Sequence, residues 1–226
     1  MHVLMVAMVL SAGPLEPKAG TYVFEGGAGS LVLSKGTFSI EVVGANAHTC
    51  NVSGSWKGAS GLANEEGEKC ELSFAVKGDE VTVSSTGDAC RSYGGARASF
   101  DGRYLTPPKG CASAEVKKTR AAFKVAYDKK QYAESIALLK PLLETCVPVL
   151  DRFDVMWIRN DLAIAQHKAG DDSACLVTLE PLAEYRDAPP GEPIGYEPSY
   201  EDIFARIAKA TRTNAKLCGF VAKPAK

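Results

Sequence analysis

The chain of 226 residues lacks the features of several common protein classes. Its formal net charge is -1, so there is no general electrostatic basis for binding nucleic acid or an anionic membrane. It has only three histidines and no CxxC pair, so no metal site is predicted. The apolar run Val3–Leu10 has eight residues, and no other run approaches the length of a membrane span.

Catalytic signatures are also missing. The sequence contains no HExxH, no GxSxG, no phosphate-binding loop and no GxGxxG before a helix. The acid pairs Asp151/Asp154 and Asp171/Asp172 fall at predicted helix starts, where carboxylates stabilise the helix dipole. We therefore predict no catalytic residue, no cofactor and a protein that is not an enzyme. An unrecognised hydrolase is the enzymatic alternative.

Glycine is scarce in the second half of the chain. Seventeen of the twenty-one glycines lie at or before Gly110, and four lie after it. The first half is therefore rich in turns and the second half is permissive for helix. The two prolines of Thr106–Gly110 mark the boundary. We predict an α+β fold, with an antiparallel β-domain over 20–106 and a helical domain over 111–218.

Seven cysteines, without close pairs, favour disulfides in an oxidising compartment, with free buried cysteines as the alternative. The run Val3–Leu10 is followed by the small residues Ser11, Ala12 and Gly13, which makes residues 1–13 a candidate signal peptide. We therefore expect a periplasmic or secreted protein.

Alternating apolar residues in the first half indicate short strands with one buried face. Together with Cys50–Trp56 and Ala98–Leu105, they predict about seven strands in an antiparallel meander, closed or nearly closed into a barrel. The alternating positions are Tyr22/Phe24, Leu31/Leu33, Phe38/Ile40/Val42, Leu72/Phe74/Val76 and Val81/Val83.

The segment Cys90–Tyr104 carries a cysteine, a tyrosine, a glycine pair and an Ala-Ser-Phe-Asp-Gly-x-Tyr strand. This pattern resembles the end of lysozyme-inhibitor-like domains of bacterial envelope proteins, and the resemblance covers about 22–104. It would place a second cysteine close after Tyr93, where this chain has Gly94, and the Ser-Gly-rich inhibitory loop is not evident. The resemblance implies an envelope β-domain that binds proteins.

Four residues of this region are candidates for binding: Arg91, Tyr93, Arg97 and Arg103. Arg97 and Arg103 are six residues apart, so they would share one face of a strand. A cationic groove for a carboxylate or an acidic protein is one interpretation. A solvated face, or a salt bridge to the acidic loop 64–68, is the other.

The second half contains a repeat with an offset of forty residues. Ser135–Glu144 matches Cys175–Glu184 in its small, aliphatic, proline and acidic positions. The two turns and second helices resemble degenerate tetratricopeptide repeats. Pro141 and Pro181 should kink or shorten their helices. We expect this helical array to pack on the β-domain and to share its core.

The proline-rich stretch from Asp187 to Asp202 has a charge of -5 and carries two further candidate binding residues, Tyr196 and Tyr200. Long loops and tyrosines are frequent at binding surfaces, so it is either a ligand loop or a connector.

Helix order suggests which cysteines pair. Cys111 begins one helix of a hairpin and Cys146 ends the other, and Cys175 and Cys218 have the same relation. Cys70 and Cys90 belong to one end of a strand hairpin, and Cys50 is left over.

The leading hypothesis is a non-catalytic envelope module that binds another protein or peptide, as an inhibitor of, or an immunity protein against, a cell-wall hydrolase. The alternative is a periplasmic scaffold or assembly factor that holds a peptide or subunit in its helical groove.

Overall fold

The computed structural model describes residues 16–65, 67–94, 97–189 and 197–221. Its architecture is α+β, as predicted, with a closed antiparallel barrel followed by helices. The strands are β1 (Gly20–Phe24), β2 (Gly29–Ser34), β3 (Thr37–Val43), β4 (Thr49–Lys57), β5 (Ser60–Glu65), β6 (Glu68–Lys77), β7 (Glu80–Thr86) and β8 (Gly102–Leu105).

Each strand of the barrel pairs with the next along the chain, and β8 closes the sheet on β1 with Val23 opposite Leu105. Closure leaves no open sheet edge among these strands. The alternation observed in the sequence follows from this arrangement, because inward-facing residues such as Leu31, Ile40 and Phe74 are buried and their neighbours face outwards.

The barrel has one strand more than the sequence predicted. The additional strand, β5, contains no run of alternating large apolar residues. Gly61 lies where a Cβ would be 2.8 Å from the Phe74 ring, so the aromatic core fills the space that a side chain would occupy. The predicted strand Ala98–Leu105 is shorter in the structure, and only Gly102–Leu105 belongs to the sheet.

The α-helices are α1 (Ser113–Asp128), α2 (Tyr132–Pro141), α3 (Arg152–Lys168), α4 (Asp172–Leu179), α5 (Ala183–Asp187) and α6 (Glu201–Leu217). The prediction for the two prolines is confirmed. The α2 helix ends at Pro141 and continues as a π-helical turn, and Pro181 lies in a 3₁₀ turn after α4.

Two aspartates cap helices, as the sequence predicted for its acid pairs. Asp151 accepts a hydrogen bond from the Phe153 N–H (2.8 Å), and Asp171 accepts one from the Ala174 N–H (2.9 Å). These bonds satisfy donors that the first turn of a helix leaves unpaired.

The helices pack as α1 on α2 and α3 on α4, with α6 against both α3 and α4. The prediction that they share the barrel core is wrong, because the closed barrel uses its inward side chains for a core of its own. Contact comes instead from Val23 and Leu105, which are partly buried against the core of α1–α3. The Gly26 N–H also donates to the Pro148 carbonyl (2.8 Å).

Three disulfides join the cysteines that were paired from helix and strand order: Cys70–Cys90, Cys111–Cys146 and Cys175–Cys218, with Cα–Cα distances of 4.7, 5.2 and 6.2 Å. Cys50 is a buried free thiol. Three disulfides are typical of proteins in an oxidising compartment. No helix in the described part of the chain is both long and apolar enough to cross a membrane. The candidate signal peptide lies outside the described residues.

Candidate protein-binding surfaces

Residues 88–94 and 97–101, which we call the closing segment, cover one end of the barrel, where Cys90, Ala98 and Phe100 join its core. The closing segment begins with a 3₁₀ helix, Asp88–Tyr93, which the Cys70–Cys90 disulfide joins to β6. The Tyr104 hydroxyl, fully buried, donates to the Phe100 carbonyl (2.7 Å) and holds the other end of the segment on β8. Residues 97–101 therefore lie outside the sheet, and Ala98 and Phe100 pack into the barrel core.

A cleft of about 700 Å³ opens beneath the closing segment. Its walls include Cys50, Cys90 and Asp101, and the Ser85 hydroxyl donates to the Asp101 carboxylate across it (3.0 Å). Burial raises the pKa of the Cys50 thiol, while a hydrogen bond from the Phe100 main chain acts in the opposite direction. A raised pKa keeps the thiol protonated, which makes Cys50 a poor nucleophile.

Gly94 lies directly on the Cys50 thiol. A Cβ at this position would overlap Cys50 Sγ and would lie 2.5 Å from the Ala98 carbonyl oxygen. The backbone of Gly94 has φ -139°, a value that any residue adopts, so the requirement for glycine comes from space alone.

Three of the predicted binding residues belong to the closing segment. The Arg91 side chain is 84% exposed at the rim of the cleft, and its guanidinium is 3.6 Å from the Asp88 carboxylate. Arg97 is also exposed, and its main-chain carbonyl accepts from the Ala45 N–H (3.1 Å). Tyr93 is partly buried and packs against the barrel core.

Arg103 is separate from that group. It belongs to β8, where its guanidinium donates to both Glu80 oxygens (3.0 and 2.8 Å) and to Glu25 Oε1 (3.0 Å). The prediction that Arg97 and Arg103 share a strand face is wrong, because Arg97 precedes the strand. Arg103 forms its salt bridges with Glu25 and Glu80, which lie outside the acidic loop 64–68 that the sequence offered as one alternative.

Tyr200 contributes to an aromatic cluster on the helical domain. Its ring centroid is 5.0 Å from that of Phe153, and the Arg152 guanidinium carbon lies 4.7 Å from the Phe153 ring and 5.3 Å from the Tyr200 ring. Arg152 also forms an ion pair with Glu197. These contacts fasten the segment before α6 to the first turn of α3. Tyr196, the other candidate of this stretch, lies outside the described residues.

A second surface runs along α3, and the sequence reasoning missed it. Asp154, Trp157 and Asp161 are partly exposed at a spacing that places them on one helical face. Arg120 of α1 contacts both acids, at 2.7 Å from Asp154 and 3.6 Å from Asp161. A second arginine, Arg206 of α6, places its guanidinium 5.8 Å from the Trp157 ring centroid. The signal in the sequence is a polar and aromatic stripe beside the apolar stripe of α3.

Burial shapes the electrostatics of this α3 surface. It raises the pKa of the Asp161 carboxyl, and Arg120 opposes that shift by its positive charge and its hydrogen bond. Arg206 makes no ion pair with any described residue. The surface therefore offers an aromatic ring with a cation that is free to bind a carboxylate.

A cleft of about 590 Å³ separates the barrel from the helices, between the outer face of β1–β2 and the starts of α1 and α3. Its floor is apolar, formed by Val23, Val116, Val149 and Leu150.

No protein-family model matches the chain, and no curated protein or solved structure matches it either.

Proposed function

We propose that the chain is a non-catalytic protein-binding module of the bacterial envelope, which inhibits a cell-wall hydrolase or gives immunity against one. The closing segment at the barrel mouth would be its binding surface. The disulfides support the envelope as its compartment. The cleft supports binding over catalysis, because its one free thiol is held in the protonated form.

The position of Gly94 is the observation that carries this proposal. The resemblance to lysozyme-inhibitor-like domains places a second cysteine close after Tyr93, and in this fold position 94 faces the unpaired thiol of Cys50. A Cβ at 94 would be 2.9 Å from Cys50 Cβ, closer than the roughly 3.5–4.5 Å of a disulfide, so a cysteine there would pair with Cys50 only after a local shift of the backbone. The position therefore connects the missing cysteine after Tyr93 with the leftover Cys50, and the absent Ser-Gly-rich loop is a separate departure from the family pattern.

Two exposed arginines of the closing segment support a hydrolase as the partner, within a segment whose two arginines and two aspartates give a formal net charge of zero. Arg91 and Arg97 are both exposed at one end of the barrel. Glycoside hydrolases that cleave the wall use a pair of carboxylates, so the mouths of their active sites attract cations. Complementary charges at the rim of an interface raise the association rate and make it sensitive to salt.

The test is the binding and inhibition of a panel of muramidases by the full chain. Reversing both charges, with Arg91→Glu and Arg97→Glu, should slow association by at least about tenfold and weaken its salt dependence. Lys35→Glu with Lys77→Glu is the matched control, because Lys35 lies in the turn after β2 and Lys77 ends β6, both at the opposite end of the barrel. If the two lysine substitutions slowed association as much as the two arginine substitutions, the closing segment would not be the binding surface.

A scaffold that holds an acidic peptide is the second candidate, favoured by the α3 surface. Arg206, which forms no ion pair with any residue that the structure describes, lies beside Trp157 and is suited to a carboxylate on an extended partner. Trp157→Ala should reduce the capture of such a peptide. Val177→Ser, a change at a residue 72% exposed on α4, is the control. Capture that survives Trp157→Ala would count against this candidate.

A further inference from the structure

The fold brings together three metal-binding side chains that are distant in the sequence. His167 is in the last turn of α3, Asp172 is in the first turn of α4, and Cys218 is the residue that ends α6. Their ligand atoms all lie within 4.8 Å of one another, and His167 Nδ1 is 2.6 Å from the Asp172 carboxylate. The sulfur of Cys218 is bonded to that of Cys175.

We propose that this group is a redox-gated zinc site, closed while the Cys175–Cys218 disulfide is intact and open when the disulfide is reduced. The proposal goes beyond hydrolase binding and does not depend on it. Imidazole, carboxylate and thiolate are the usual ligands of Zn²⁺. Of the two bonded sulfurs, that of Cys218 lies with the ligand atoms of His167 and Asp172, so reduction would free it to bind an ion there.

Opening the site requires reduction of the Cys175–Cys218 disulfide. A dithiol of a thiol–disulfide oxidoreductase donates two electrons and two protons to the Cys175–Cys218 bond, which becomes two thiols while the dithiol becomes a disulfide. Zn²⁺ then binds the Cys218 sulfur as a thiolate, which releases one proton to solvent. His167 and Asp172 would supply the other two protein ligands, and water would complete the coordination of the ion. Reoxidation needs the metal to leave first.

The surroundings give the metal and the reductant a path. The side chains of His167 and Asp172 are 22% and 55% exposed, so an ion can approach from solvent. Cys218 is buried, but it ends α6, and helix ends fray more readily than helix interiors. Within the described residues, the other two disulfides have no such histidine and acid beside them.

Cys175→Ser in the full chain tests the site without a reductant, because it frees the Cys218 thiol and leaves the other two disulfides intact. With Co²⁺ as the probe, this variant should bind one ion per chain with a thiolate-to-cobalt absorption, and Zn²⁺ should displace it. Adding His167→Ala should weaken binding by at least about tenfold, since even residues that only support a ligand are worth that much. Adding His48→Ala, an exposed histidine of the barrel, should have no effect.

A thiolate-to-cobalt absorption that is missing, or that survives His167→Ala, would overturn the proposal. So would the same absorption in Cys175→Ser with Cys218→Ser, because it would then arise from Cys50. The unmutated chain gives a second measurement that does not depend on how well the variants fold. After reduction, Zn²⁺ should slow re-formation of Cys175–Cys218, followed by mass spectrometry, and should leave the rate for Cys111–Cys146 unchanged. Equal rates with and without Zn²⁺ would also overturn it.

Discussion

Gly94→Ala is expected to destabilise the closed end of the barrel. The added methyl would overlap the Cys50 thiol and would lie 2.5 Å from the Ala98 carbonyl oxygen and 2.9 Å from Cys50 Cβ. Overpacking of this kind costs about 1–3 kcal/mol of unfolding free energy. In a chain of this size the melting temperature should fall by about 2–4 °C for each kcal/mol.

A double-mutant cycle with Cys50→Ala isolates the contact. Removing the sulfur gives the methyl part of the space it needs, so Gly94→Ala should cost less in the Cys50→Ala background than in the unmutated chain. The clash with Ala98 remains, so rescue should be partial, with an interaction energy of at least about 0.5 kcal/mol. Urea unfolding, followed by fluorescence, gives both the free energy and the slope that checks two-state behaviour.

Gly20→Ala is the matched control. Gly20 belongs to a strand of the same barrel, but a Cβ there would meet nothing within 4 Å. Its substitution should change stability by no more than about 0.5 kcal/mol. The reasoning would be refuted if Gly94→Ala were as harmless as Gly20→Ala, or if its cost were the same with and without the Cys50 sulfur.

Three further changes test the account of the fold. Tyr104→Phe removes the bond to a carbonyl of the closing segment and should cost about 1–3 kcal/mol in urea unfolding, because that acceptor is left unsatisfied. Replacing Cys111 and Cys146 together by serine opens a loop of 35 residues and should cost about 4 kcal/mol by the same assay. A hydrogen bond from Arg103 lowers the pKa of Glu80. Their ion pair therefore stabilises the fold at pH values above the usual glutamate range, and this stabilisation is lost as the pH falls and Glu80 becomes protonated. Arg103→Gln should therefore lower the melting temperature at neutral pH and do so less in acid; an equal loss at both would contradict the pairing.

The barrel was predictable where its strands alternate. Large apolar residues at every second position bury one face, so β2 and β3 follow directly from the sequence. The β5 strand did not follow, because Gly61 leaves its inward space to the Phe74 ring, which belongs to another strand. Tertiary packing of this kind is not encoded in the strand itself.

The disulfide pairs were predictable because a helical hairpin places the start of one helix beside the end of the other. The same reasoning failed for Arg97. Period-two spacing relates two residues only if both lie in one strand, and the bond from Tyr104 to Phe100 holds the chain before Gly102 away from the sheet. Only the fold shows that His167 lies beside Cys218, since their proximity depends on how α6 returns to α3 and α4.

The central claim is that the closing segment binds a cell-wall hydrolase. Its most direct test is the association of the full, oxidised chain with each member of a muramidase panel, measured by biolayer interferometry at two salt concentrations. The account predicts binding to at least one muramidase, slowed by Arg91→Glu with Arg97→Glu and unaffected by Lys35→Glu with Lys77→Glu. Binding that is equally fast with either pair, or no binding to any muramidase, would contradict it.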